Sequence, residues 1–424
     1  MTEFHHHHHH RCRRCRLAAS LEAIITAVLL VLNQAQLIST ESMWCPDVCH
    51  CYNNMKTLDC SQRRLSVVPA RMPQSARRVY LEDNNIGQVD LQEFTGSQRV
   101  SQLVLDRNRL TAVETATFCM MTSLQELSLS ANMIKSFHVS SGAECVCVAL
   151  RQLDLSLNVL SAVPVNLSSF APRLQVLDLS CNEITHATLD SSFTQFTSLR
   201  QLDLSRNRIH LLSATDLEPL RHVSLDVLNL AETELAVIEH SALSPLSASL
   251  KYLSLTGNPL RPDNLARALA GYASTSDNLT EHNTSELSAT RGSETVLPLT
   301  RLSIGEMTVG NLTQDMLAPF HHLLVLDVAF SDLEWVDPEL FNHLTCLETL
   351  HLEASRLTAV ENLSTMKNLR RIHLQRNQLT QIVTLSGLYK LVLIDLSYNC
   401  ISHVPAFWLD GFRHLQVIST FIAI

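Results

Sequence analysis

The chain has 424 residues, with 32 Lys and Arg against 41 Asp and Glu, and a net charge of −9 at pH 7. That balance argues against nucleic acid as its main partner. Ten glycines in this length are few for phosphate-cradling loops, and nothing after residue 40 is long and apolar enough to span a bilayer.

The first 40 residues read as a secretory signal peptide. A run of six histidines, His5–His10, precedes Arg11, Arg13, Arg14 and Arg16, and Ala23–Leu32 is uncharged and apolar. Ten apolar residues are short for a membrane span. Cleavage is expected near Ala35–Thr40; the alternative is an uncleaved anchor. The histidines look like an expression tag or a natural low-complexity stretch.

Cysteines then cluster as Cys45-Pro46-Asp47-Val48-Cys49-His50-Cys51, with Cys60 nine residues later. Four cysteines allow three connectivities. A zinc site is the competing reading, but a secretory leader points to an oxidising compartment.

From residue 76 onward one pattern dominates. Leu124-Gln-Glu-Leu127-Ser-Leu129-Ser-Ala-Asn132-Met-Ile134 recurs in register from Leu150, Leu174 and Leu199. Copies start at Ala76, Val100, Leu124, Leu150, Leu174, Leu199, Leu225, Leu250, Leu299, Leu323, Leu347, Leu369 and Leu391, and another begins at Leu415. Steps are 22 to 26 residues, except for 49 between Leu250 and Leu299. The Leu-x-Leu alternation marks a short strand with its leucines on one face. A single copy has nothing to bury them against, so copies must stack, with strands about 4.8 Å apart. The asparagine sits where the chain turns out of the strand, where its amide can bond unpaired backbone groups. Asn84, Asn108, Asn132, Asn158, Asn182, Asn207, Asn258, Asn377 and Asn399 should form an internal ladder.

This pattern resembles the leucine-rich repeat. The resemblance implies an α/β solenoid: a right-handed horseshoe with a parallel concave sheet and a convex side of irregular, 3-10 and helical segments. The cysteine cluster resembles the N-terminal cap of extracellular members, which implies the pairs Cys45–Cys51 and Cys49–Cys60. Such a cap covers the open end of the leucine core.

The organisation expected is therefore a signal at 1–40, a disulfide cap at 45–75, repeats one to eight at 76–260, an irregular island at 261–298, and repeats nine to fourteen at 299–424. The last repeat stops before its asparagine, so the chain is expected to be part of a longer molecule or a short form completed by a partner. The sequons at Asn166, Asn278, Asn283, Asn311 and Asn362 are expected glycan acceptors on exposed surface. Cys119 and Cys145 occupy equivalent places in adjacent repeats and could bridge, with Cys147 as a rival partner. Cys181, Cys346 and Cys400 have no evident partners.

The island is rich in Ser, Thr, Asn, Ala and Glu, and a short helix is expected near its start with Asp263 as N-cap. Beyond it the ladder weakens. Thr233 already stands in an asparagine place, followed by Met307, Ser331 and Ser355. Ser and Thr can bond the turn in part; Met307 cannot. Two regular arcs joined by a looser middle are the expectation.

The residue between the strand leucines points out of the concave sheet. That column carries Asp154, Asp178 and Asp203 in consecutive repeats, flanked by Arg151, Arg200 and Arg206. Like charges one strand apart repel and need counter-charges, a cation or a basic partner. Leu-Asp-Leu-Ser is also a common filling of this repeat, and carboxylates spread along a flat face suit calcium poorly. The same column continues with His351 and His373, near Arg370, Arg371, Arg376, Phe330 and Tyr398. Arg and Tyr are favoured at binding hot spots, and the two imidazoles should couple and titrate near pH 6.

No H-E-x-x-H, G-x-S-x-G or phosphate loop appears, and an open curved sheet lacks a closed pocket. The expectation is therefore not an enzyme, with no cofactor and no metal. It is an extracellular protein–protein recognition module, the ectodomain of a cell-surface receptor or adhesion protein. The alternative is a secreted leucine-rich repeat carrier or matrix glycoprotein. The expected partner is an extracellular protein ligand or another cell-surface receptor, with a homo-oligomer through the repeat surface as a further candidate.

Overall fold

The computed structural model describes residues 44–70, 72–140, 146–273, 297–406, 408–409 and 412–419. The signal, the sequons Asn278 and Asn283, and Cys145 lie outside these residues. The fold is a leucine-rich repeat solenoid built on one sheet of sixteen strands. The first two, His50–Tyr52 and Thr57–Asp59, form an antiparallel hairpin in the cap. Every later strand joins in parallel, from Arg78–Tyr80 to Val417–Ser419.

Register is the same at every step. Leu153 lies beside Leu127 and Leu177, and Leu177 beside Leu202. These leucines are at most 1% exposed. The period of two therefore does what the sequence demands: alternate residues line one core, and the others face out. On the opposite side the chain returns through short 3-10 turns and single-turn helices. Their phenylalanines Phe94, Phe118, Phe170, Phe193, Phe320 and Phe341 are fully buried and close the core from behind.

The asparagine ladder explains how copies are joined as well as stacked. Asn158 Nδ2 donates to Leu155 O and Ser156 O of its own turn and to Leu129 O of the preceding repeat, each at 3.0 Å. Its Oδ1 accepts from the Ile134 amide at 3.0 Å. Asn108, Asn132, Asn182, Asn207 and Asn258 make the same kinds of bond. The residue just before the ladder position always has positive φ, from Asp83 at 56° to Tyr398 at 55°. That left-handed kink turns the asparagine inward.

The sheet does not loosen across the long interval. Tyr252–Ser254 pairs directly with Arg301–Ser303 in unchanged register. The strands on either side of the interval thus pair directly, which corrects the expectation of a looser middle in the sheet, while the inner ladder does weaken at Met307 as expected. The helix there spans Pro262–Ala273 and is held firmly. Asp263 lies within its first turn rather than at its N-cap. Asn264 accepts from the Ile238 amide at 2.9 Å and donates to the Ile238 carbonyl at 3.0 Å. Tyr272 stacks on Phe320 at 5.9 Å. At Gly271 a Cβ would collide with the His240 carbonyl oxygen, so the close approach requires glycine.

The cap contains the pairs Cys45–Cys51 and Cys49–Cys60. Cys119 is disulfide-bonded to a partner outside the described residues. Cys147 is free and buried, with its thiol pushed up to about 12 by burial, so it is not that partner. Cys181, Cys346 and Cys400 are free.

The weak rungs differ from one another. Thr233 Oγ1 bonds Leu230 O in its own turn and Asn258 Oδ1 in the following repeat, but among the described residues it makes no bond back to the preceding repeat. Ser331 reaches only Ala329 O, at 3.5 Å, and the buried Ser355 hydroxyl has no partner. Serine is too short to span to the previous repeat. Asn158→Ala should therefore cost about 1–3 kcal/mol, since it strands the Ile134 amide in the core. Ser355→Asn should gain about 1 kcal/mol by restoring a rung. Both are read by denaturant melts of the purified chain; a neutral Asn158→Ala would remove the ladder as a source of stability.

Candidate functional site

Each repeat presents its outward strand residues in columns along the concave sheet. In the central column Asp154 lies beside Asp178, and Asp178 beside Asp203. Their charge is handled locally. Asp154, Asp178 and Asp203 each accept, at 2.9 Å, from the backbone amide of the serine two residues on: Ser156, Ser180 and Ser205. Asp203 also accepts from Ser205 Oγ at 2.6 Å and from Asn229 Nδ2 at 2.8 Å. Such Asx turns complete the chain's exit from the strand. The Asp178 carboxyl is nevertheless raised, first by burial and then by the neighbouring Asp203 and Asp154 carboxylates.

None of the flanking arginines supplies the counter-charge. Arg151 donates to the Val148 and Leu150 carbonyls, Arg200 to the Ser224 carbonyl, and Arg206 pairs with Glu232 at 3.0 Å. Each acid of the stack is thus hydrogen-bonded to its own turn; Asp327 closes in the same way on the Ala329 amide, so the turn needs only an amide two residues on.

The later repeats break that rule. His351 replaces the aspartate, with Asp327 beside it on one side and His373 on the other; Asp395 follows. Two residues on, Glu353 and Gln375 replace the serines. The imidazoles stack face to face, 4.5 Å between centroids and 6° apart. His351 Nδ1 lies 3.3 Å from Glu353 Oε1. The hydrogen bond to Glu353 raises the pKa of His351, against the opposing effect of burial. Burial and the adjacent His351 charge push His373 down. For Glu353, burial works to raise the carboxyl, but the His351 contact and a backbone bond outweigh it and hold it low. The two imidazoles are coupled, and the Glu353 bond on one and the burial of the other move them in opposite directions. Among the described residues Glu353 Oε2, Gln375 Oε1 and Ser303 Oγ are buried without a partner.

Around this pair, Arg370 approaches Glu348 at 3.8 Å, and Arg371 is exposed on the strand. Arg376 lies over the Tyr398 ring at 5.7 Å. Arg301 lies over Tyr252 at 4.7 Å, a contact the sequence reading missed. Phe330 and Tyr398 are 56% and 64% exposed, and both occupy the left-handed position ahead of a ladder residue. Glu353 and Gln375 were also missed, although their place was readable as the departure from Asp-x-Ser. No group of three or more His, Cys, Asp or Glu among the described residues is arranged to hold a metal ion. The sequon asparagines Asn166, Asn311 and Asn362 are exposed.

Comparison with known proteins places the chain. The leucine-rich repeat family profile matches residues 74–134, 148–209, 172–226 and 367–419. Podocan-like protein 1 of Mus musculus is 29% identical over 343 residues, which is 74% of this chain and 59% of that protein. Podocan of Mus musculus is 30% identical over 214 residues, 49% of this chain and 33% of that protein. The chain thus spans between a third and three fifths of the length of these relatives. A solved leucine-rich repeat protein of Leptospira interrogans superposes with a TM-score of 0.63 at 22% identity, over 86% of this chain and 84% of that one.

The split titration can be checked directly. The His351 imidazole should titrate above the free value of 6.5 and the His373 imidazole below it. The His351 interaction contributes stability that is complete below 6.5 and is lost as pH rises through its higher folded value. The His373 effect is opposite in sign: stability falls as pH drops below 6.5. Glu353→Gln should bring His351 down. NMR titration of the two imidazoles reads this, and the reverse order of the two midpoints would refute the Glu353 bond to His351 and the burial of His373 as its causes.

Proposed function

Because the chain is an extracellular leucine-rich repeat protein with an N-terminal disulfide cap, we propose that it recognises a protein partner across its concave sheet, centred on His351 and His373. The observation that carries this reading is the local failure of self-satisfaction. Elsewhere in the sheet the central acids close onto their own backbone. Here two stacked, half-buried imidazoles take the place of the acids, and Glu353 and Gln375 take the place of the serines. A partner would meet the imidazoles and the exposed arginines around them.

The surroundings support a protein ligand. Arg371, Arg376 and Tyr398 are residue types that anchor interfaces. Phe330 and Tyr398 keep exposed aromatic rings on left-handed backbone, where such side chains are disfavoured by roughly 1–3 kcal/mol. The kink itself recurs in every repeat; what bears on binding is that an exposed aromatic ring occupies it at these two positions. Under this reading the protein is a recognition module, not an enzyme: the ectodomain of a receptor or adhesion protein.

The second reading is a secreted matrix or carrier glycoprotein. Similarity to podocan-like protein 1 over 74% of the chain favours it. Both readings use the same concave face, and glycans on Asn166, Asn311 and Asn362 would lie on exposed surface in either.

The test is a capture experiment with the glycosylated protein and its native tissue, followed by affinity measurement for each captured protein. A Glu triple variant at Arg370, Arg371 and Arg376 should fold normally, since all three side chains are exposed. It should weaken binding at least tenfold, whereas Arg63→Glu with Arg64→Glu in the cap should not. Affinity unchanged by the triple variant would remove this site.

A further inference from the structure

A small cavity opens where the cap hairpin meets the first repeats. Its volume is about 170 Å³, and Asn53, Lys56, Thr57, Arg77, Arg78 and Ser101 line it. The backbone beneath it is cross-braced. The Lys56 carbonyl accepts from the amides of Arg77 at 2.8 Å and Arg78 at 3.1 Å. Ser101 Oγ donates to the Arg77 carbonyl at 3.0 Å. The hairpin turn and the start of the first repeat strand are thereby clamped together, and three cationic residues from them line the cavity.

Those cations are not neutralised. Lys56, Arg77 and Arg78 are exposed, and none forms an ion pair among the described residues. The nearby acids are committed elsewhere. Asp59 accepts from the amide and hydroxyl of Ser61 at 3.0 and 2.6 Å, and Asp83 is paired with Arg107. Glu126 lies two strands further along the column of Arg78. The whole chain carries a net charge of −9, so this cluster is a local feature rather than part of a basic surface.

Size and charge define the ligand. Sites for whole small molecules usually enclose about 300–1,000 Å³. This cavity holds one functional group. Three cationic residues at one small cavity exceed what a singly charged planar carboxylate neutralises, and guanidinium forks match the oxygens of tetrahedral anions. We propose that the cavity is a binding site for a tetrahedral oxyanion, a sulfate or phosphate group held by Lys56, Arg77 and Arg78 with Asn53 and Ser101 at its rim. The group could be a free ion or a sulfate ester on an extracellular polysaccharide. The site is separate from the His351 surface and does not rest on it.

The test is calorimetric titration of the full chain at fixed ionic strength. Four probes are used: inorganic sulfate, inorganic phosphate, a sulfated oligosaccharide and its desulfated counterpart. At least one oxyanion should bind with one site per chain, and Lys56→Gln/Arg77→Gln/Arg78→Gln should weaken it tenfold or more. Binding of the sulfated but not the desulfated sugar assigns the group to a polymer; binding of the inorganic ions alone assigns a free anion. Both results uphold the site. Absence of oxyanion binding, equal binding of both sugars, or an unchanged affinity in the triple variant overturns it. A loss of equal size in the Arg370, Arg371 and Arg376 triple variant would also overturn it, by showing diffuse charge attraction. If the triple cap variant fails to fold, Lys56→Gln alone, on the exposed turn, should still weaken binding about threefold.

Discussion

The bond between an asparagine side chain and the repeat before it is the constraint on which the rest of this structure depends. Leucine burial is non-directional; it would tolerate copies sliding past one another. The Asn158 amide does not, because its bonds span its own turn and the Leu129 carbonyl and Ile134 amide one repeat earlier. Repeating those bonds fixes both spacing and register. Leucine burial then supplies most of the stability, while the ladder selects which stack forms. The cap extends the same logic: Asn84 Oδ1 accepts from the amides of Arg63 and Leu65, so the disulfide-braced segment is held by the first rung.

A second consequence falls on the outer surface. Turning the asparagine inward requires left-handed backbone one residue earlier, and this places one side chain per repeat on an exposed kink. Gly257 meets that requirement without strain, but Leu157, Phe330 and Tyr398 do not. The weakest rungs, at Met307, Ser331 and Ser355, fall in three successive repeats that lead into the His351 and His373 pair. Departures from the repeat therefore cluster, in the inner ladder and on the outer face together. Local rules are broken most readily where a surface serves something other than its own folding.

Much of this was legible in the sequence, and the limits were physical. Leu153, Leu177 and Leu202 could be placed because a two-residue period has only one buried solution, and the asparagines because each keeps the same offset from the leucine that ends the alternating pattern of its repeat, as Asn158 does from Leu155. The closure of Asp154 onto the Ser156 amide was harder to read. An acid in a column looks alike whether a partner, a cation or its own backbone satisfies it, and Asp327 closes onto the Ala329 amide as Asp154 does onto that of Ser156. The adjacency of His351 and His373 followed from register, but the direction of each titration did not, because it depends on Glu353 for His351 and on burial for His373. The convex helix Pro262–Ala273 was under-read because its anchors, Asn264 and Gly271, contact a neighbouring repeat more than twenty residues away.

The two surfaces singled out here are far apart on a stiff element. Between Arg78 and Arg371 the sheet makes eleven strand steps. At about 4.8 Å each, that is roughly 50 Å along the sheet. Several Debye lengths of physiological salt fit in that distance, so charge at one site does not act directly on the other. The self-satisfied row from Asp154 to Asp203 lies between them and contributes a negative stretch of wall rather than a third basic contact. A single extended partner could engage both sites, and so could two different ones. A partner that engaged both would gain from the fixed spacing, because the second contact becomes intramolecular once the first has formed. Rigidity set by the asparagine ladder is then a condition of recognition as well as of folding.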